Sequence, residues 1–591
     1  VSHIADEQAF LGHVSIEELE AHTLAICRTA RLSGSPGERK AFGYLARTLA
    51  GWGFEIEEHR HPCWTSWPGA ALLEIVNGKS FSIPCITHAM AASTPPDGVV
   101  LELVDAGQAD SAALAGLPVE GRAALADGLA MPAKVARLES AGAAAQIHVC
   151  GKLPHEMIAS VVWGSPTPET SRHLPRTPLL SVDAGGGAAL REALARGRVR
   201  VHIRATVDTR WRTLPLLIAH LRAPRSNGDF LMVSGHVDSW YYGAMDNGTG
   251  NATQLEIGRL MAGRRKWMRR DLRLAFWSGH SHARYGGSAW YADNFWHDIN
   301  EHCVLNLNAD CLGAKNATVL TEAFVMAEVQ ELASGIVEQV TGQKLSGVRP
   351  KRAGDQSFWG HGVPSLFMTL SEQPPEESAA ARGWAQLMGG PARTGGLGWF
   401  WHTPEDTLDK LDPDFLLRDA QIYALAARRL LEEPVLPLDY RAVVAEAVRI
   451  LHGYRREARE RFDLTPALEL LERLDTRLAS LSRRLRGKGV PGEAFDLVNG
   501  CLMTMGRELI PLLYCRADRF EHDPTLPVPP FPTLEPMRRL GALPVKSDEA
   551  HQLHVGLVRA RNKVCYHLHQ AVAMVEATLA VLSTAKRNRR R

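Results

Sequence analysis

Three short apolar runs, at 230–234, 272–278 and 303–307, each give way to polar residues able to bind a metal ion. Their length predicts strands. Between the first two, NATQLEIGRLMAG has the pattern of a helix, and GGSAWYADNFW predicts a second helix before the third run. Strand alternating with helix predicts an α/β fold, a doubly wound parallel sheet in which ligands bind beyond the carboxyl ends of the strands. His236 and Asp238 follow the first run, Asp246 sits in a Gly-rich turn, His280, Ser281 and His282 follow the second, and Asp310 follows the third. These are the positions where such a fold builds a site.

The pattern elsewhere divides the chain into three parts. Residues 16–50 predict two helices broken by RLSGSPGER, and FEIEEH resumes as a strand. From 66 to 204 short β-like runs alternate with Gly- and Ala-rich joints, which predicts a β-rich insert, poor in catalytic residue types, that covers or shapes a cleft. A helix is expected at 324–341, a loop carrying GDQSFWGHG, a strand at 365–370 and an irregular segment to 398. In FWHTPEDTLDKLD, at 400–412, Thr403 suits a cap, Pro404 a first turn, and Glu405 and Asp406 the positive end of a helix dipole, so His402 is expected in a loop just before a helix. Beyond 437 the chain reads as helical. Leu471, Leu474, Leu478, Leu481 and Leu485 form one stripe and Val564, Leu568, Val572, Val575, Leu579 and Leu582 another, with a Pro-rich connector at 524–532. The division is thus 1–65 with 205–436, 66–204, and 437–591.

Composition narrows the class. A chain of 591 residues exceeds one core, and 45% apolar with 22% charged residues is ordinary for a globular protein. A formal charge of +2 calls for neither nucleic acid nor a membrane as partner. Nine cysteines, spread singly with no CxxC, are not a disulfide framework. The opening VSHIADEQAF has no basic start followed by an apolar run, so the cytoplasm is expected, with secretion the alternative if a leader has been removed.

Taken together, RLSGSPGER, GHVDSW, AMDNGTGN, the spacing to LNAD, and WHTPEDTLDKLD resemble the M28 metallopeptidases. The order of core, insert and helical tail resembles the glutamate carboxypeptidase and transferrin receptor branch. The resemblance implies a zinc-peptidase-like sheet domain, a protease-associated insert, and a tail that forms a homodimer through its helices. It also implies two divalent metal ions, zinc foremost, with manganese, nickel or a single ion as alternatives. By motif, His236 and Asp310 hold one ion, Asp246 bridges, and His402 holds the second. Asp238 falls where the family keeps a carboxylate that orients the ring of His236.

Two departures change the expected chemistry. Where the family has adjacent glutamates, a general base and a ligand, this chain has Ser281 and His282. An imidazole replaces a carboxylate as a zinc ligand, but a hydroxyl does not replace a base. Trp401 precedes His402 where the family usually places a Tyr that steadies the oxyanion, and an indole donates only from its N–H. An inner shell one unit less negative leaves the metals more electrophilic, and His280 has the chemistry of a proton carrier near neutrality. If the strand continues through 282, His280 and His282 point to one side.

For the substrate, Asp355 lies in the loop where relatives shape the pocket, and Trp240 and Trp401 are candidate walls. The expected activity is metal-dependent hydrolysis of a peptide or amide bond, aminopeptidase- or carboxypeptidase-like. Its rivals are hydrolysis of a small non-peptide amide or ester by the same metals, and a non-catalytic, receptor-like binding role.

Overall fold

The computed structural model describes residues 2–76, 80–387, 391, 393–486 and 494–588. At its centre four parallel strands lie in the order Ser365–Leu366, Cys303–Asn308, Phe230–His236 and Asp271–Trp277. The long strand Arg200–Leu221 pairs antiparallel with the last of these, and Glu55–Ile75 pairs antiparallel with it in turn.

Side chains alternate across this sheet, as strand geometry requires. Leu231 and Val233 join a core built with the helices Pro36–Gly51, Gly250–Arg264 and Pro413–Glu432. Phe230 and Met232 face the other way, onto Tyr291, Ala292 and Ile299 of the helices Gly286–Asn294 and Trp296–His302. Helices therefore cover both faces, and the carboxyl ends of three parallel strands open onto His236, the 278–282 turn and Asp310.

The insert grows out of the sheet without a linker. Glu55–Ile75 and Arg200–Leu221 stay paired from Glu55↔His220 to Ile75↔Val201, so the boundaries expected at 65/66 and 204/205 fall inside one continuous ribbon. At the far end Val99–Gly107 pairs with Arg200–Leu221, and the parallel strands Ala123–Asp127, Ala145–Val149 and Leu179–Val182 follow around a small core of Leu125, Ile147, Leu180 and Val201.

Beyond 437 come the helices Tyr440–Glu457, Thr465–Arg486, Ala494–Tyr514 and Asp548–Asn588. Leu471, Leu474, Leu478 and Leu481 are buried, as are Val564, Leu568, Val572, Val575 and Leu582, which is what a spacing of three and four residues produces on a helix. Buried Arg507 anchors this tail to the body by donating to the carbonyls of Asn300, Gly362 and Cys303. Among the described residues no helix is long and apolar enough to cross a membrane.

Several local expectations are corrected. The helix expected over 324–341 is a 3-10 turn, Ala327–Val329, followed by Gln330–Thr341, and the strand at 365–370 is only Ser365–Leu366. No helix starts at Thr403. Its hydroxyl closes a local turn with Phe400 and Glu405, and the carboxylate of Asp406 is drawn to the amides of Met245 and Asp246 across the cleft. The helix begins at Pro413, capped by Asp412.

Candidate metal centre

His236 ends its strand with Nδ1–H donating to the carbonyl of Asp238 at 2.8 Å, which leaves Nε2 bare. That nitrogen lies 3.0 Å from Oδ1 of Asp246 and 3.3 Å from Oδ1 of Asp310. On the other side of Asp246, Oδ2 lies 3.0 Å from Nε2 of His402, whose Nδ1–H donates to the carbonyl of Glu156 at 2.7 Å. Trp401 stacks on His402 at 3.8 Å and donates its indole N–H to Asp246 Oδ2 at 3.0 Å. The peptide between Asp246 and Asn247 is cis.

A cation fits these residues. His236 Nε2 and Asp246 Oδ1 are buried without a hydrogen-bond partner, although they face each other at 3.0 Å. Ligands bound to zinc at 2.0–2.1 Å in a tetrahedron stand about 3.3 Å apart, close to the separations seen. The electrostatics agree. Burial opposes a charge on His236, yet Asp310 and Asp246 together push its imidazole well above its ordinary value. Burial likewise opposes ionisation of Asp246, and His236 and His402 nonetheless hold its carboxyl well below the usual range. Two acidic groups converge on one imidazole, and a metal ion satisfies all three.

The strand expected to run through 278 ends at Trp277. Gly279 at φ 83° turns the chain, a conformation costly for a residue with a Cβ, and 280–283 forms one helical turn. Residues two apart on a helix point about 200° from each other. His280 and His282 therefore diverge, where a continued strand would have aligned them. His280 stacks on His236, with ring centroids 3.7 Å apart, and joins His236 and Asp310 as a set of ligand atoms within 4.8 Å of one another. Asp246, Asp310 and Cys311 form a second such set, and His282 is in neither. Instead His282 Nδ1 is 3.0 Å from Ser33 Oγ, its ring packs 4.3 Å from that of Trp240, and its Nε2 is buried without a hydrogen-bond partner.

Asp238 does not orient His236 through its carboxylate, which is 3.8 Å from Nδ1. It accepts the amides of His280 and Ser281 and the hydroxyl of Ser33, and so holds the turn that carries both histidines. Burial works against its ionisation, but His282, His236 and His280 keep its carboxyl below the usual range. Ser281 contributes its amide, and its hydroxyl is buried without a partner.

Residues 217–427 match the sequence profile of Peptidase family M28. The resemblance to that family lies in this segment of the chain. The chain is similar to a probable glutamate carboxypeptidase of Zea mays, 27% identical over 282 residues that make up 45% of this chain and 36% of the maize protein. The chain thus spans about a third of that relative's length. It is also similar to a probable lipoprotein aminopeptidase of Mycobacterium tuberculosis, 25% identical over 68% of this chain and 82% of that protein. In fold it is similar to an aminopeptidase from Aneurinibacillus sp. strain AM-1, with a TM-score of 0.53 at 19% identity over 72% of this chain and 96% of that one.

The cleft is lined by Asp246, His280, Asp310 and His402 together with apolar groups, among them Ile158 and Trp384. Trp401 lines it too; Trp240 fills the space between the rings of His282 and His402, and Asp355 lies behind His280. Of thirteen non-glycine residues with positive φ among those described, Arg284, Tyr285, Cys311 and His402 line this cleft and Asp355 backs it.

Four contributors escaped the sequence reading. Arg31, fully buried in RLSGSPGER, donates to the carbonyls of Val237, Tyr242 and Gly243 and braces the loop between His236 and Asp246. Asp406, whose carboxyl burial pushes up to about 7, holds the amides of Met245 and Asp246. Glu156 brings the insert to His402, and Cys311 puts a thiol 3.3 Å from Asp310. Arg31 and Asp406 lie in motifs already noticed, so their charge was a usable signal. Nothing local marks Glu156, because its backbone carbonyl makes the contact.

Proposed function

We propose that the chain is a metal-dependent hydrolase of peptide or related amide bonds, acting in the cleft of the M28-like segment. The observation that carries this reading is the shared carboxylate: Asp246 meets Nε2 of His236 with one oxygen and Nε2 of His402 with the other, each at 3.0 Å. Two divalent ions, zinc foremost, are the proposed cofactors. Bound zinc polarises a carbonyl oxygen and brings the pKa of a water to about 7.

In this reading His236, Asp246 and Asp310 hold one ion, and Asp246, His402 and His282 hold the other. The buried, unpartnered Nε2 of His282 supports its inclusion. Asp238, Ser33 and the Ser281 amide fix the turn, and the Trp401 indole fixes Asp246. His280 takes a proton from a water in the cleft and returns it to the departing amine nitrogen. Ile158 and Trp384 receive an apolar part of the substrate.

The proposed assembly is a homodimer through the C-terminal helices. Val555, Tyr566, Met574 and Val581 are exposed on Asp548–Asn588, and at about 100° per residue they fall within an arc of about 100°.

Metal analysis of the purified protein, with zinc-loaded protein assayed on aminoacyl 4-nitroanilides and a dipeptide panel, tests this reading. Bound zinc with cleavage of either class is expected. A correctly folded chain that binds no divalent ion ends it.

A further inference from the structure

His280 stands close to the centre yet is badly placed as a ligand for an ion held by His236. A metal lies near the plane of each imidazole that binds it, along the nitrogen lone pair. The rings of His236 and His280 are 3.7 Å apart and tilted by only 15°. Planes so nearly parallel meet far beyond the 2.0–2.1 Å reach of a zinc–imidazole bond. An ion in the plane of His236 is therefore one ring layer away from the plane of His280.

The other side of His280 is built with care. Its Nδ1 lies 2.7 Å from Asp355 Oδ2, and a carboxylate only accepts, so Nδ1 carries the proton. The second oxygen of Asp355 accepts the hydroxyl of Ser288 at 2.6 Å. Ser288 Oγ is 2.9 Å from Ser357 Oγ, which accepts the indole N–H of Trp163 at 2.9 Å. Asp355 is 1% exposed and sits at φ 52°, a region that Asp visits more readily than most residues. Tyr285 closes the edge of the imidazole ring at 4.8 Å. Among the described residues Nε2 has no hydrogen-bond partner; it is not one of the fully buried unpartnered atoms, and it belongs to a side chain that lines the cleft.

We propose that Asp355 is a positioning residue that holds His280 with Nδ1 protonated and Nε2 bare toward the cleft, supplying from a histidine and an aspartate the base that the M28 pattern would place at Ser281. Ser288 holds Asp355 in turn. This rests on the hydrolase reading above for its chemistry, though not for its geometry. A water O–H bond breaks with the proton going to Nε2, the oxygen bonds to the substrate carbonyl carbon, and the same proton goes to the amine nitrogen as the C–N bond breaks.

The test compares full-length wild type with Asp355→Asn and Ser288→Ala, each loaded with zinc. A carboxamide at 355 can donate to Nδ1 and drive the proton to Nε2. With ¹⁵N-labelled histidine, the His280 ring, assigned with His280→Gln, is expected to carry its proton on Nδ1 in wild type and on Nε2 in Asp355→Asn. Zinc content and KM should stay within about threefold while kcat falls about 10²- to 10⁴-fold, the usual contribution of a positioned general acid or base. Ser288→Ala should lower kcat about tenfold, and it carries the test if Asp355→Asn does not fold. An unchanged tautomer with kcat within threefold of wild type overturns the proposal, as does loss of zinc from Asp355→Asn. If wild type cleaves nothing while the tautomer inverts in Asp355→Asn, hydrolysis fails and the positioning stands. If wild type and Asp355→Asn cleave equally, the positioning fails and hydrolysis stands.

Discussion

Asp246 and His402 meet across the cleft at 3.0 Å, and the indole of Trp401 reaches the same carboxylate oxygen, also at 3.0 Å. The other oxygen of Asp246 faces His236 with no hydrogen bond. One carboxylate therefore joins two histidines that lie 166 positions apart in the chain, and the strongest tests of the site act on it.

Removing that negative charge should release the metal. Asp246→Asn is expected to weaken zinc binding more than about a hundredfold, read by titration calorimetry. A chelator should lower the melting temperature of wild type, because an ion at a thousand times its Kd adds about 4 kcal/mol, and should leave Asp246→Asn unmoved.

Stoichiometry decides the part played by His282. Two zinc ions per chain are expected in wild type and one in His282→Ala, measured by elemental analysis after dialysis. One ion in both proteins would remove His282 from the centre and leave it to Ser33 and Trp240.

Arg31 is a brace that works through backbone carbonyls. Its guanidinium donates to Val237 O at 2.7 Å, Tyr242 O at 2.6 Å and Gly243 O at 3.0 Å. Arg31→Met leaves buried carbonyls without donors and should cost about 3–5 kcal/mol in urea unfolding. Zinc affinity should fall with it, since the braced loop joins His236 to Asp246.

Glu328 offers a test of pH dependence far from the centre. It is fully buried, Oε1 has no partner, and burial, with Glu446 nearby, raises its carboxyl to about 7. The folded protein thus holds a proton there that the unfolded chain releases near pH 4.5. The stability it contributes is complete below about pH 4.5 and is lost as pH rises through about 7. Glu328→Gln should remove that slope. Relative to wild type it should gain roughly 1–3 kcal/mol between pH 5 and pH 8, read from denaturant midpoints at both.

The exposed stripe on the last helix tests assembly. Tyr566 is 61% exposed at the centre of that stripe. Wild type is expected to run as a dimer in light scattering and Tyr566→Glu as a folded monomer. A monomeric wild type would leave the stripe without the proposed role.

How much was legible depended on which interaction fixed each feature. The three core strands, the helices between them and the helical tail follow from periodicity, because burying one face of a strand or helix imposes a repeat of two or about 3.6 residues on adjacent positions. His236, Asp246, Asp310 and His402 stand at the ends of those elements or in the turns beside them, so their convergence was readable from element order and motif. The turn after Trp277 was not. It depends on the Asp238 carboxylate capping the amides of His280 and Ser281, a contact over 42 and 43 residues, and that cap sends the two histidines in opposite directions.

By itself, then, the sequence determined the three parallel strands that carry the site, their helical layers and the four residues about Asp246, since each is a matter of local pattern and of where a strand stops. Tertiary structure alone decided that Asp355 backs His280, that Asp406 serves Asp246 in place of a helix, and that the insert reaches His402 through a backbone carbonyl. Those contacts join side chains or carbonyls brought together only by folding, and no periodic pattern records a partner 75 or 246 residues away.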